Sequence, residues 1–333
     1  MEGELHNFVK VWLSILVSLC YCYSIGKITP KGFARLFSIL PIICLFLLLP
    51  LNLNSVILSG TTGFIIARLA NFKLLLFAFD KGPLSTDPSI SLPRFLALAS
   101  LPIKIQANPP QKRPRKTKKS IAIKVLVLSM FVRVFYYSDH LCPKVVSFLY
   151  CVHSYFVIER TLDLFAVLAR ALLVVELEPY LSTSLQDFWG TRWNLPETSV
   201  LRTAVYELTH GVATCAVGPR WAQVPAVLGT FLVSALMHEL TFYYMGRAKP
   251  TWEITWFLLL HGVCVVAEVG LEKAVKGRWR LPRLISTVLT VGFVMVTSYW
   301  VLLPPLVRYQ VDVRAFEEYA AVGEFFKKSI FDP

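Results

Sequence analysis

Two stretches of this chain set chemically capable side chains in apolar surroundings. Phe188-Trp189-Gly190-Thr191-Arg192-Trp193-Asn194 gathers indole donors, a guanidinium and an amide into about one and a half helical turns. Further on, His238 sits at the end of the apolar run Leu232-Val233-Ser234-Ala235-Leu236-Met237. Burying an unpaired polar group costs roughly 1–3 kcal/mol, so an imidazole there needs a reason. Burial disfavours its charged form, and a neutral imidazole is what a general base requires. Such a ring in an apolar tunnel can take the proton of a lipid alcohol, while the indole and amide cluster upstream holds the other substrate. The structural alternatives are a histidine hydrogen-bonded to a neighbouring helix and an aromatic belt at the bilayer interface. Ser234, four residues earlier, shares the His238 face and is placed to hydrogen-bond the ring. Glu239 projects about 100° away on a helix and need not share the site.

Other polar groups carry weaker signals. His261 and Glu268 fall on one helical face two turns apart, lining the same cavity or forming a structural pair. Glu159, Arg160, Asp163 and Arg170 read as an inter-helix network. His140, His153 and His210 give little. A guanidinium at Arg192 or Arg202 suits a phosphate on an acyl carrier or a lipid. Several rival signatures are absent: GxSxG of the esterases, a completed HExxH after His238-Glu239, HxxxxD and a phosphate-binding P-loop. What remains is a membrane enzyme with one central histidine, or a non-catalytic membrane protein.

The elements that must position these groups are membrane helices. Of 333 residues 55% are hydrophobic and 17% charged, against about 25% charged in soluble domains. Leu36 to Ala67 and Leu284 to Val307 contain no charge, and about 20 apolar residues cross a bilayer. Apolar segments occur near 8–26, 34–53, 55–79, 121–137, 145–158, 161–177, 201–218, 221–245, 254–272 and 282–307. Some are too short or too charged to stand alone, so seven to nine crossings are expected. Glu2 and Glu4 precede Lys10, which leaves no basic leader, and the first segment reads as a retained helix. No internal repeat is visible, which disfavours an inverted-repeat transporter.

The formal net charge of +13 is concentrated, with Lys112, Arg113, Arg115, Lys116, Lys118 and Lys119 in one Pro-rich stretch. That is the pattern of a cytosolic loop touching anionic headgroups, and no nucleic-acid fold accompanies it. The seven cysteines lie in apolar segments without CxxC or metal-ligand spacing, so neither a metal nor a disulfide framework is expected. Residues 1–333 form a single membrane-embedded domain, interrupted by a basic loop over 80–120 and a motif loop over 178–200. In the second loop, Ser182-Thr183-Ser184 is placed to cap a short helix with Gln186 or Asp187 in its first turn.

These residues match a known pattern. Glu178-Pro179-Tyr180-Leu181-Ser182-Thr183-Ser184-Leu185-Gln186-Asp187-Phe188-Trp189-Gly190, followed by Arg192-Trp193-Asn194, Leu201-Arg202 and Val205-Tyr206, resembles the signature of the plant wax synthases. Those are long-chain-alcohol O-fatty-acyltransferases of the membrane-bound O-acyltransferase superfamily. Ser234-Ala235-Leu236-Met237-His238-Glu239 is similar to that superfamily's histidine segment, and the likeness extends over nearly the whole chain. It implies an all-α polytopic bundle with a central tunnel, His238 as catalytic base and Asn194 as its paired asparagine. It also implies acyl-CoA as donor and co-substrate with no other cofactor, a long-chain alcohol as acceptor, and the endoplasmic reticulum membrane. Trp189, Arg192, Trp193, Arg202, Tyr206 and His261 are the residues expected around the substrates. Sterol and diacylglycerol acyltransferases sit close to this family and are the alternatives within it; a lipid transporter is the alternative outside it. The chain departs from the pattern at Thr191, where arginine is usual, at Leu195-Pro196-Glu197, and at Thr203 in place of a frequent proline.

Overall fold

The computed structural model describes residues 2–87, 89–102, 179–275 and 281–331, with isolated positions between 130 and 153. The basic run 112–119, His140, the stripe Glu159 to Arg170, the apolar segments 121–137 and 161–177, and most of 145–158 lie outside them. Among the described residues there is helix and no strand. Six helices among the described residues are long and apolar enough to cross a membrane, which makes this a multi-pass membrane protein. The principal helices are α1 (Glu2–Ile28), α2 (Phe33–Leu48), α3 (Val56–Ala78), α4 (Leu92–Ser100), α5 (Leu195–Leu201), α6 (Glu207–Val217), α7 (Gln223–Gly246), α8 (Glu253–Val275), α9 (Arg283–Arg308) and α10 (Val311–Phe331).

Helices α1 to α4 pack on one apolar core, in which Ile15, Leu19, Ile39, Phe46, Ile65, Leu74 and Phe95 are fully buried. Helix α3 is central: 78% of its apolar window is buried, against 11% for α9, whose Leu284, Val288 and Trp300 face outward. The 80–120 stretch is not one continuous loop, since α4 interrupts it. Pro93 falls in the first turn of α4, where a missing N–H costs nothing, and Phe95, Leu98 and Ala99 face the core.

Helix ends in an apolar setting leave backbone groups without partners, and here long charged side chains supply them. Cations serve the carbonyl ends. Arg35 donates to the carbonyls of Gly26, Thr29 and Phe77, and Lys73 to those of Leu98 and Leu101. Carboxylates serve the amide ends. Glu318 of α10 accepts from the N–H groups of Val56 and Ile57 at the start of α3. Glu239 accepts from the N–H and hydroxyl of Thr255 at the start of α8, so it faces away from the His238 ring. Both placements follow the sign of the helix dipole.

Helices α7 and α8 form an antiparallel pair that closes tightly because Gly262 has no side chain. A Cβ there would sit 2.9 Å from Cγ of Phe231. Gly63 allows the same close approach of α3 to Tyr244 on α7. Residues Gly63–Ala70 of α3 form a π-helical stretch, a local widening that re-aims side chains and recurs at functional sites. Its Ile65 and Ile66 pack into the apolar core, while Arg68 reaches α7.

Candidate active site

His238 lies in α7, partly buried. Its Nδ1 is 2.7 Å from the carbonyl oxygen of Ser234, one turn back. A carbonyl only accepts, so Nδ1 carries the proton and the lone pair belongs to Nε2. That tautomer is the one a base acting through Nε2 requires. The Ser234 hydroxyl is 3.5 Å from the same nitrogen.

Arg68 of α3 meets this ring. Its Nη2 is 3.3 Å from both imidazole nitrogens, and with Nδ1 already donating, only Nε2 can receive it. The same Nη2 forms an ion pair with Oε1 of Glu197 at 2.5 Å, with only 3% and 6% of the two side chains exposed. Nη1 donates to the Thr241 hydroxyl at 3.3 Å. Burial raises the Glu197 carboxyl, but Arg68, His238 and the Ser234 hydroxyl together hold the group below the usual carboxylate range. Glu197 also accepts from the Ser234 hydroxyl at 3.2 Å and, through Oε2, from the Asn194 amide nitrogen. Asn194 and His238 share no hydrogen bond among the described residues. They are joined through Glu197 and Arg68, a carboxylate and a guanidinium in series.

Asn194 is buried in this arrangement, and the backbone explains how. It is the residue before α5 and sits in the left-handed region at φ 41°, ψ 56°, which asparagine tolerates better than most residues. Pro196 follows in the first helical turn, where its fixed φ suits a helix start. Glu197 is therefore one turn into α5, directly over the Asn194 amide.

The motif loop is a chain of short helical turns. Ser184 caps the turn Leu185–Asp187, its hydroxyl accepting from the Asp187 N–H at 2.9 Å, as the sequence pattern predicts. Asp187 in turn accepts from Arg192 Nε at 2.8 Å and from the Thr183 N–H at 3.2 Å. Burial raises the Asp187 carboxyl, but bonds from Thr191, Arg192 and Thr183 bring it below its usual range. Glu268 reaches up from α8 to the N–H groups of Leu185 and Gln186. Trp189 donates its indole N–H to Nδ1 of His261 at 3.0 Å. Nε2 of His261 is 2.9 Å from the Thr297 hydroxyl, which itself donates to the Phe293 carbonyl and so accepts from His261. His261 and Glu268, paired on one face by the sequence reading, both grip the motif loop.

The expected residues thus divide into three groups. Asn194 and His238 belong to one network. Trp189 and His261 bond to each other, with Trp193 stacked on Phe188 at 5.6 Å and Arg192 paired with Asp187. Arg202 and Tyr206 lie on a π-helical turn between α5 and α6; Arg202 is exposed and Tyr206 stacks on His210 at 5.8 Å. Two members of the network, Arg68 and Glu197, are not among the residues that the sequence singled out. The available signal was a lone arginine closing an apolar run and a lone carboxylate beside the asparagine, which call for each other in a membrane. Among the described residues no group of three or more metal-ligating side chains is present.

Residues 177–260, which contain the motif loop, α5 and α7, match the membrane bound O-acyl transferase family. The chain is 45% identical over 334 residues to an acyl-CoA–sterol O-acyltransferase of Arabidopsis thaliana, covering 96% of each protein. It is 43% identical over 346 residues to a long-chain-alcohol O-fatty-acyltransferase of Simmondsia chinensis, covering 99% of this chain and 98% of that one. A probable long-chain-alcohol O-fatty-acyltransferase of Arabidopsis thaliana is 41% identical over 338 residues.

Proposed function

The chain belongs to the membrane bound O-acyl transferase family, and from that premise we propose that it transfers the acyl group of acyl-CoA to a long-chain alcohol, making a wax ester. The observation that carries this reading is the His238 tautomer. With Nδ1 donating to the Ser234 carbonyl, the lone pair belongs to Nε2, which in the resting site accepts from Arg68 Nη2, a donor shared with Glu197 that gives way when the alcohol hydroxyl takes its place. In the reaction Nε2 takes the hydroxyl proton as the alcohol oxygen attacks the thioester carbonyl carbon. The C–S bond then breaks, and the leaving thiolate recovers the proton from the imidazolium to give free CoA. Both substrates meet in one tunnel, so no acyl-enzyme is needed and the rate gains from proximity. The alcohol enters laterally from the bilayer and acyl-CoA from the cytosolic side.

The other expected residues take supporting parts. Asn194 helps hold the base and the developing oxyanion. Trp189 and Trp193 flank the acyl chain, with His261 fixing the Trp189 ring. Arg192, Arg202 and Tyr206 face the carrier. The enzyme works as one domain in the endoplasmic reticulum membrane without metal or prosthetic group.

A sterol is the second acceptor to consider, because the sterol-specific relative is 45% identical over 96% of both chains. Membranes containing the protein, incubated with radiolabelled palmitoyl-CoA and hexadecanol, a sterol or diacylglycerol, decide among these. Labelled wax ester in excess of the other products is expected. Sterol ester as the main product moves the acceptor to sterol, and no ester from any alcohol overturns the enzymatic reading in favour of lipid transport.

A further inference from the structure

We propose that Glu197 and Arg68 are the positioning pair of this active site, fastening Asn194 to His238 and balancing the charge that appears when the histidine is protonated. The proposal rests on His238 being the base. Three observations carry it.

Glu197 carries both bonded routes between the two expected catalytic residues among those described, one through the Ser234 hydroxyl to Nδ1 and one through Arg68, and only the Arg68 route reaches Nε2. Asn194 Nδ2 bonds Glu197 Oε2, Glu197 Oε1 bonds Arg68 Nη2, and that same nitrogen meets the imidazole. Through it α5, α3 and α7 are locked to one another at the site.

The network is also left incomplete. Arg68 Nε and Asn194 Oδ1 are buried atoms with no hydrogen-bond partner among the described residues. A buried ion pair kept for stability alone repays its desolvation only when every donor and acceptor is satisfied. One spare donor and one spare acceptor in the network around a base suit groups that complete their bonding when substrate arrives.

Charge gives the third argument. Arg68 alone, 3.3 Å from the ring, opposes a second positive charge on His238. Glu197 cancels it, so the imidazolium forms beside a neutral pair instead of a bare cation. Glu239, next to His238 in sequence, is turned to Thr255 and cannot serve.

The test uses Glu197→Gln, Arg68→Gln and the double variant in membranes, with palmitoyl-CoA and the acceptor that the alcohol panel selects. Each single variant leaves one buried charge unpaired and should lower both abundance and thermal stability. The double variant leaves none, so abundance and melting should return towards wild type. Its kcat should stay roughly ten- to hundredfold down with KM for palmitoyl-CoA within about twofold, the scale of losing a residue that orients a reacting group. A double variant with wild-type kcat overturns the proposal, as does a raised KM at unchanged kcat. A double variant that never reaches the membrane also counts against it, since only a fold that needs the pair fails once both charges are gone. His238→Ala assayed in parallel separates the two readings. Ester synthesis surviving in His238→Ala removes the base, whereas its loss beside a normal double variant removes only the pair.

Discussion

Helices α1 to α4 and the region around Asn194 are held together by different forces. The first are packed through Ile15, Leu19, Phe46, Leu74 and Phe95, side chains with no hydrogen-bonding atoms and no exposure. Around Asn194 the fastenings are polar: Glu268 on the Leu185 and Gln186 amides, Trp189 on His261, Thr198 on the Trp189 carbonyl, Glu197 on Asn194 and Arg68. Apolar burial is strong but has no preferred direction. A hydrogen bond contributes only about 1 kcal/mol net, yet it fixes distance and angle. The scaffold needs energy and the site needs direction, and the chain separates the two. Helix α3 serves both, since its Ile65 and Ile66 join the apolar core and its Arg68 joins the network.

The contrast is sharpest in single substitutions. His238→Ala should cost 10²–10⁴-fold in ester synthesis, the usual scale for a positioned base, at near-normal abundance in the membrane. If instead the protein is lost together with its activity, His238 belongs to the scaffold. Phe46→Ala should behave in the opposite way. Emptying that site costs about 3–5 kcal/mol of stability, seen as a lowered melting temperature in detergent, while turnover per folded molecule stays within about twofold. A fall in turnover without a fall in melting would erase the distinction. Trp189→Phe is the mildest: it keeps the ring and loses the bond to His261, about 1 kcal/mol. Melting should hardly move, because Glu268 and Ser184 still pin the turn, and the effect should appear as a severalfold change in kcat or KM. A melting loss as large as that of Phe46→Ala would place Trp189 in the scaffold.

Much of the scaffold was legible in the sequence, because membrane helices announce themselves by composition. The segments at 34–53, 55–79, 221–245 and 254–272 correspond closely to helical spans. The local parts of the site were legible for a similar reason: the Ser184 cap and the Ser234–His238 contact are separated by three and four residues, distances that helical geometry fixes. The Arg68–Glu197 pair was not. It joins residues 129 positions apart, and no periodicity within either segment points to the other. The helix at Leu92–Ser100 was hidden by composition, since prolines suggest a loop unless one of them falls in a first turn.

The left-handed backbone at Asn194 has a consequence for which residues the position accepts. Of the ordinary amino acids, glycine, asparagine and aspartate adopt φ 41° at little cost, and the rest are strained there. Aspartate would press a second carboxylate against Glu197, whose nearer oxygen already holds the Asn194 amide. Glycine would relax the turn but leave the carboxylate without that donor. Backbone shape and side-chain chemistry, two independent filters, overlap in asparagine alone. Drift at this position is closed from both sides, whatever the acyl acceptor turns out to be.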